Sequence, residues 1–457
     1  MENNTLNFTP YKLINQNNKS FIFISENNLI YEVDDKIINI LSKEGKNYID
    51  AYNELKDSFN NKKEFLNLIK NLEDNEFILK NKKDNKIILN KEDIGSLKSL
   101  TLMLVQGCNM GCSYCFGDSG EYNNKGEMSF NTAKDAIDFL VNNSPNKEKN
   151  LQITFFGGEP LLKIDLIKQI VNYCKKIEKK SNKKFEFSMT TNGTLLNEEI
   201  EKYLIDNNVF IQLSIDGDKE THDKNRYFKS KLGSYDLIIK NTDNLRKNNL
   251  ISARATITKY NLGLVEIFNH LDQLGFSFVA MAPAHNLLSE DDYEVLKKET
   301  SRLIHYFEFL IKNNQINKAS RIKFQWDDLN KIHSGYKRLM PCGVGRNMVA
   351  VDINGELYPC HRFVGCDEFK IGTIVEKTIN NINFINSINV LNQSKCNKCW
   401  IKNLCIGGCP HESYSITGKI GGYNKQYCEL NLNKFELMLQ VYLRLTDKEK
   451  EKIFKKL

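Results

Sequence analysis

No run of apolar residues in this chain approaches the roughly 18 needed to cross a bilayer, and the opening Met-Glu-Asn-Asn has neither the basic nor the apolar region of a secretory signal. The first absence argues against a membrane partner and the second against export, so a cytoplasmic protein is expected. A basic cluster interleaved with aromatics is also missing. The net charge of +7 is spread over Lys-rich helical stretches, which reads as a solvated surface and argues against nucleic acid as a partner. Nothing favours long disordered tracts: 41% hydrophobic and 26% charged residues over 457 positions are ordinary for a folded protein of two or three domains. Against these absences stand twelve cysteines. In a reducing compartment they read as ligands or catalytic groups rather than disulfides.

Cys108, Cys112 and Cys115 fall within eight residues, directly after the apolar run at 100–105. A turn at the end of a strand lets such thiolates converge on one object, and Cys sulfur is the soft ligand that selects iron–sulfur clusters or zinc. Zinc favours Cys-x2-Cys spacing, whereas the first gap here is three residues. Three ligands leave one metal corner open. The pattern Cys-x3-Cys-x2-Cys with Tyr114 before the third Cys resembles the signature of radical S-adenosylmethionine (SAM) enzymes. That resemblance implies a [4Fe–4S] cluster whose fourth iron is chelated by SAM, which is cleaved reductively to a 5′-deoxyadenosyl radical.

Residues 1–90 read as a separate α+β unit. Short apolar runs at 11–14, 21–24 and 29–33, separated by Asn-rich turns, predict an antiparallel meander; helical spacing follows at 36–41, 48–59 and 63–72, with a last strand at 77–79. This order resembles the winged-helix-like leader-recognition domain of ribosomal-peptide maturases, where a leader peptide adds a strand to the sheet edge. A plain cap on the larger domain is the alternative. Residues 80–91 are a linker candidate.

Over 91–282 strand patterns at 100–105, 151–156, 185–190, 209–215, 251–257 and 276–281 alternate with amphipathic helices, which argues for a parallel α/β sheet. Six units suit the partial (β/α)6 barrel that the resemblance implies, with chemistry at the C-terminal strand ends. Gly157-Gly158-Glu159-Pro160 resembles the family's glycine-rich SAM motif, since glycines permit close backbone approach to a ligand and Glu159 can sit near the SAM ammonium. Thr191 and Asn192 offer polar groups at the same rim, and the resemblance assigns Ser214 and Arg254 to SAM contacts. Asp216 reads either as a general base for a substrate proton or as a hydrogen-bonding residue that orders the rim. His222, Asp223 and Arg226 read as positioning residues, and Cys174, within a helical pattern, as core. Residues 283–340 form a Cys-free helical bridge.

The second cluster occupies 341–435, before a charged C-terminal helix over 436–457. Cys342 and Cys360 are followed by Cys396-x2-Cys399-x5-Cys405-x3-Cys409 and, after eighteen intervening residues, Cys428. Seven thiols in this order resemble the SPASM domain, which holds two auxiliary [4Fe–4S] clusters. By that resemblance Cys396, Cys399, Cys405 and Cys428 ligate the outer cluster, and Cys342, Cys360 and Cys409 the inner one. Cys366 is an eighth candidate, and His361 and His411 read as groups that support the ligands. Head, barrel and tail together resemble a maturase of ribosomally synthesised peptides, and the stretch 115–129 is similar to that of thioether-forming (sactipeptide and ranthipeptide) enzymes. The resemblance implies three [4Fe–4S] clusters, SAM, a precursor peptide whose leader binds the head, and an electron donor such as flavodoxin or ferredoxin. Carbon–carbon crosslinking and formylglycine formation are the rival oxidations, and a non-catalytic iron–sulfur carrier the rival class.

Overall fold

The computed structural model describes residues 4–79, 87–90, 96–376 and 378–454. Most of the predicted linker at 80–91 lies outside them; residues 87–90 run beside the C-terminal region, where Asn392 and Asn386 exchange hydrogen bonds with the backbone of Ile87 and Leu89.

The head opens with β1 (Tyr11–Gln16), β2 (Lys19–Ile24) and β3 (Leu29–Val33) in one antiparallel sheet. Gln16 pairs with Lys19, leaving Asn17 and Asn18 as a two-residue turn at φ 52° and 58°. Such turns need left-handed backbone at both positions, and Asn tolerates it. Helices Asp35–Leu41, Tyr48–Leu55 and Lys62–Asp74 follow, each started by a side-chain cap from Asp34, Asn47 or Asn61. The expected strand at 77–79 is reduced to one bridge between Phe8 and Ile78. Strand alternation divides the sheet's loyalties. Ile22 and Ile24 join the head's own core around Phe65 and Phe77, whereas Ile14 and Phe23 point the other way and join the main core.

The body is built on β4 (Ser99–Gln106), the short β5 (Gly126–Glu127), β6 (Asn150–Gly157), β7 (Lys184–Thr191), β8 (Val209–Ser214), β9 (Ile251–Ile257) and β10 (Val279–Pro283). β4 and β6–β10 are parallel neighbours in chain order, as a (β/α)6 arrangement requires, and β10 starts three residues later than the apolar pattern suggests. Leu151, Ile153 and Phe155 on β6, and Phe185, Phe187 and Met189 on β7, are buried. The alternate residues, among them Phe156, Thr190, Ser214 and Arg254, share the opposite face and end at the C-terminal rim.

The Cys-rich region adds β11 (Met348–Val351), β12 (Glu356–Tyr358), β13 (Gly372–Thr373) and β14 (Thr378–Ile379) to the same sheet: β11 runs parallel to β4, and the rest follow antiparallel. The sheet therefore crosses the boundary expected near 341. Helix Glu290–Lys312 of the bridge lies beside helix Lys425–Arg444, which runs unbroken across the boundary expected at 435 and carries Cys428 in its first turn. The tail ends in a separate helix, Asp447–Phe454.

Candidate functional site

The loop after β4 is fastened by its backbone. Gly111 N–H donates to Tyr227 O at 2.8 Å and Ser113 N–H to Asn225 O at 2.9 Å, so the segment between Cys108 and Cys115 lies along residues 225–228. Asn109 donates to Thr194 Oγ1 at 2.8 Å and accepts from Asn192 Nδ2 at 2.9 Å. The three thiols line one cavity of about 120 Å³ with Gly157, Gly158, Glu159, Thr191, Asn192 and Ser214. The glycines are required by the chain itself. A Cβ on Gly158 would stand 2.0 Å from Gly107 O, and one on Gly157, at φ +141°, 2.3 Å from Val105 O. Gly158 thus meets the start of the Cys loop, and Gly157 the end of β4.

Glu159, 1% exposed, ties its own loop to the one after β7 at this rim. Its carboxylate accepts from Asn192 N (2.8 Å), Thr191 Oγ1 (2.7 Å) and Leu161 N (3.0 Å). Burial raises its pKa, and these donors oppose the rise. Burial likewise pushes the Cys108 thiol up to about 11.

Two expected residues stand elsewhere. Asp216 is fully buried, accepting from Tyr114 Oη at 2.7 Å and Thr256 N at 2.9 Å, while Arg226 donates in turn to Tyr114 Oη. Its pKa is raised by burial, against the pull of Arg226. It sits behind Tyr114 and is absent from the cavity lining, the geometry of a residue that orders the rim. Arg254 does not line the cavity either; it stands 5.9 Å over Phe324, and burial followed by the like charge of Arg362 lowers its pKa. Arg226 does line the cavity, with Thr190. The alternation of β7 could have indicated Thr190, which shares the rim face with Ser214; Arg226, read from the sequence as a positioning residue, reaches the cavity from a loop.

In the C-terminal region Cys396, Cys399, Cys405, Cys409 and Cys428 line a cavity of about 430 Å³. Their mutual influence separates them into two sets. Burial, and then Cys405, Cys396 and Cys399, push the Cys428 thiol up to about 12, and Cys396 responds to Cys405 and Cys399. Cys360, also pushed to about 12 by burial, responds to Cys409 and Cys342. Cys366 responds to burial, Glu368 and Asp367 but to no thiol, so the structure does not gather it with the second set. Cys174 is buried in helix Ile164–Glu178, as expected. Arg362 pairs with Glu412 at 2.5 Å and lies 4.8 Å over Phe116, which also stands 6.0 Å from both His361 and His411. This layer, with buried Tyr122, separates the first three thiols from Cys342, Cys360 and Cys409. Burial lowers His361 to about 3 and His411 to about 4, so both are neutral at physiological pH.

No group of three or more His, Cys, Asp and Glu that could hold a metal ion is found among the described residues. The thiols instead line two cavities, three in one and five in the other. A soft donor set of this kind, beside buried polar groups, fits iron–sulfur clusters.

A model of the radical SAM superfamily matches residues 102–274. The cysteine-type anaerobic sulfatase-maturating enzyme of Clostridium novyi is 28% identical over 68% of this chain and 88% of its own. The radical SAM cyclopropyl synthase TigE of Paramaledivibacter caminithermalis is 24% identical, over 96% of this chain and 94% of its own. Among solved structures, native anSMEcpe with bound AdoMet superposes with a TM-score of 0.64 at 23% identity, covering 76% of this chain and 100% of that one. The chain carries a radical SAM domain on the α/β radical SAM fold, the domain that works with SAM and a [4Fe–4S] cluster. No helix among the described residues is long and apolar enough to cross a membrane.

Proposed function

We propose that this radical SAM enzyme is a maturase that modifies a ribosomally made, Cys-containing peptide by joining the Cys sulfur to an acceptor carbon. What supports the reading is that Cys360 responds to Cys409 and Cys342, and that its neighbour His361 stands 6.0 Å from Phe116, whereas Cys366 responds to Glu368 and Asp367 but to no thiol. A cluster held by three thiols has a position left for a thiolate of the peptide, and binding there would favour the ionised sulfur.

In this reading Cys108, Cys112 and Cys115 hold the SAM-binding cluster, and Cys396, Cys399, Cys405 and Cys428 the outer one. When bound, SAM supplies a carbon radical able to take a hydrogen atom from an unactivated carbon. Gly157, Gly158, Glu159, Thr191, Asn192 and Ser214, joined by Thr190 and Arg226, bind and orient it. Asp216 keeps Tyr114 and Arg226 in place, and the Phe116 layer excludes water between the two sites. The head takes the leader peptide along β3: of the sheet's two edges, β1 is occupied by Lys12 with Glu436 (2.7 Å) and by Arg444, which donates to Gln16 at 3.5 Å. A flavodoxin or ferredoxin supplies electrons, in the cytoplasm.

A second reading, oxidation at carbon without sulfur, draws on the cyclopropyl synthase that aligns with nearly the whole chain and on the sulfatase-maturating relatives. Anaerobic incubation of the enzyme with SAM, reductant and the Cys-containing peptide encoded beside its gene separates the two. Loss of two hydrogens per link together with a thiol that no longer alkylates supports the thioether. The same mass loss with every thiol still alkylatable overturns it in favour of a carbon–carbon bond, and replacement of a thiol by an aldehyde in favour of formylglycine.

A further inference from the structure

The loop carrying Cys399 and Cys405 rests on the head as well as on its own region. Between the two thiols, Trp400 packs edge-on against Phe23 of β2, centroids 6.0 Å apart at 79°, and Lys12 of β1 stands 5.9 Å over the same indole. Asn403 Nδ2 donates to Ser25 O at 2.6 Å. Lys402, only 3% exposed, pairs with Glu26, which follows β2 in the turn to β3. Lys402 is part of the thiol site: it lines the cavity shared by Cys396, Cys399, Cys405 and Cys428, and its backbone N–H donates to Cys399 O at 3.2 Å. Burial pushes the Cys399 thiol up, and the Lys402 charge pulls against it.

We propose that Glu26 of the head is a positioning residue for the outer cluster: through Lys402 it fixes the Cys399–Cys405 loop and balances the charge beside it. The proposal rests on assigning Cys396, Cys399, Cys405 and Cys428 to a cluster. A cation near a cluster favours its more negative, reduced form and raises its potential, and a carboxylate does the reverse. As a pair, Glu26 and Lys402 nearly cancel. Removing either exposes the other, and the two removals act with opposite sign. The unit proposed to receive the peptide leader thereby contributes a charge beside the outer redox centre.

The test uses the full chain, reconstituted anaerobically, as wild type, Glu26→Gln, Lys402→Gln and the double variant. Iron content is measured, and each cluster is titrated by electron paramagnetic resonance, the outer signal being the one lost in Cys428→Ala. The expected result is an upward shift of the outer potential in Glu26→Gln, a downward shift in Lys402→Gln, a value near wild type in the double variant, and no movement of the other two centres. Unmoved potentials in both single variants, or shifts in the same direction, overturn the proposal. If Glu26→Gln fails to hold the outer cluster, recovery of iron in the double variant supports the pairing, and equal loss in both overturns it. Wild-type protein is expected to hold about twelve irons. About eight, with no signal sensitive to Cys428, would remove the outer cluster itself, a failure of the underlying assignment distinct from unmoved potentials.

Discussion

The two ends of the thiol array are held in different ways. Around Cys108, Cys112 and Cys115 the fastening is mainly by backbone: bonds from Gly111 and Ser113 to residues 225–227, and glycines that let chain segments touch, with Asp216, Tyr114 and Arg226 linked behind them. Around the C-terminal thiols it is charged and long-range: Arg362 with Glu412, Lys434 with Asp328 at 2.8 Å, and Lys402 with a partner 376 positions away. A ligand set written within eight residues can be shaped by its own backbone. One spread from 342 to 428 has no such continuity, and buried charges whose separation is costly hold its pieces in register.

The contrast can be broken or sharpened in steps of falling size. Cys112→Ala acts on the local end: iron falls by about four atoms per chain and production of 5′-deoxyadenosine ceases, while the auxiliary signals persist. Glu412→Gln acts on the charged end, where Arg362 is left with an uncompensated charge. It should cost on the order of 4 kcal/mol in urea unfolding and loosen the inner thiols before the first three. Gly158→Ala drives a Cβ into Gly107 O and should cost about 2 kcal/mol by overpacking. Gly418→Ala, left-handed at φ 69° but with nothing within 4 Å of its Cβ, should cost only about 1 kcal/mol. If the two glycine variants prove equal, the crossing of the loops is not what holds the local site. Arg226→Gln should weaken SAM binding about tenfold, measured by equilibrium dialysis, and Arg254→Gln should leave it unchanged; the reverse order would return Arg254 to the cofactor.

A further effect is one of pH. His222 is fully buried, its Nδ1 accepting from Asp216 N at 3.3 Å, and burial holds its pKa near 3 rather than 6.5. A depressed folded pKa gives stability that is complete above 6.5 and is lost as pH falls toward 3. Melting temperature should therefore decline from pH 7 to 5, and less steeply in His222→Gln.

Much of this was legible because local chemistry and global fold agree. Asn17-Asn18 announces its hairpin, the apolar runs announce the strands, and the closely spaced Cys108, Cys112 and Cys115 line one cavity. What stayed hidden depends on contacts between distant segments. Met348 to Val351 is a short apolar run with no mark that it will pair with β4, and Arg226 gains its place in the cavity only because residues 225–228 lie along the Cys loop. Arg254 sits on the rim face of β9, as its position in the strand suggests, yet its charge faces Arg362 of the C-terminal region, which no pattern within β9 discloses. Asp216, which the sequence leaves between two roles, accepts from Tyr114 on one oxygen and from the Thr256 backbone on the other, partners that lie 102 and 40 positions away in the chain.

The pairing of β11 with β4 also bears on how the chain can be divided. β4 is buried at all eight positions, and β11 covers its outer edge with backbone hydrogen bonds. A protein ended at residue 340 would present that apolar strand, with its N–H and C=O groups unpaired, as a template for a second copy. Such a truncated enzyme should be recovered as aggregate even though every residue of the SAM cavity is present, so solubility of the barrel becomes a direct report on whether the C-terminal strands have joined it.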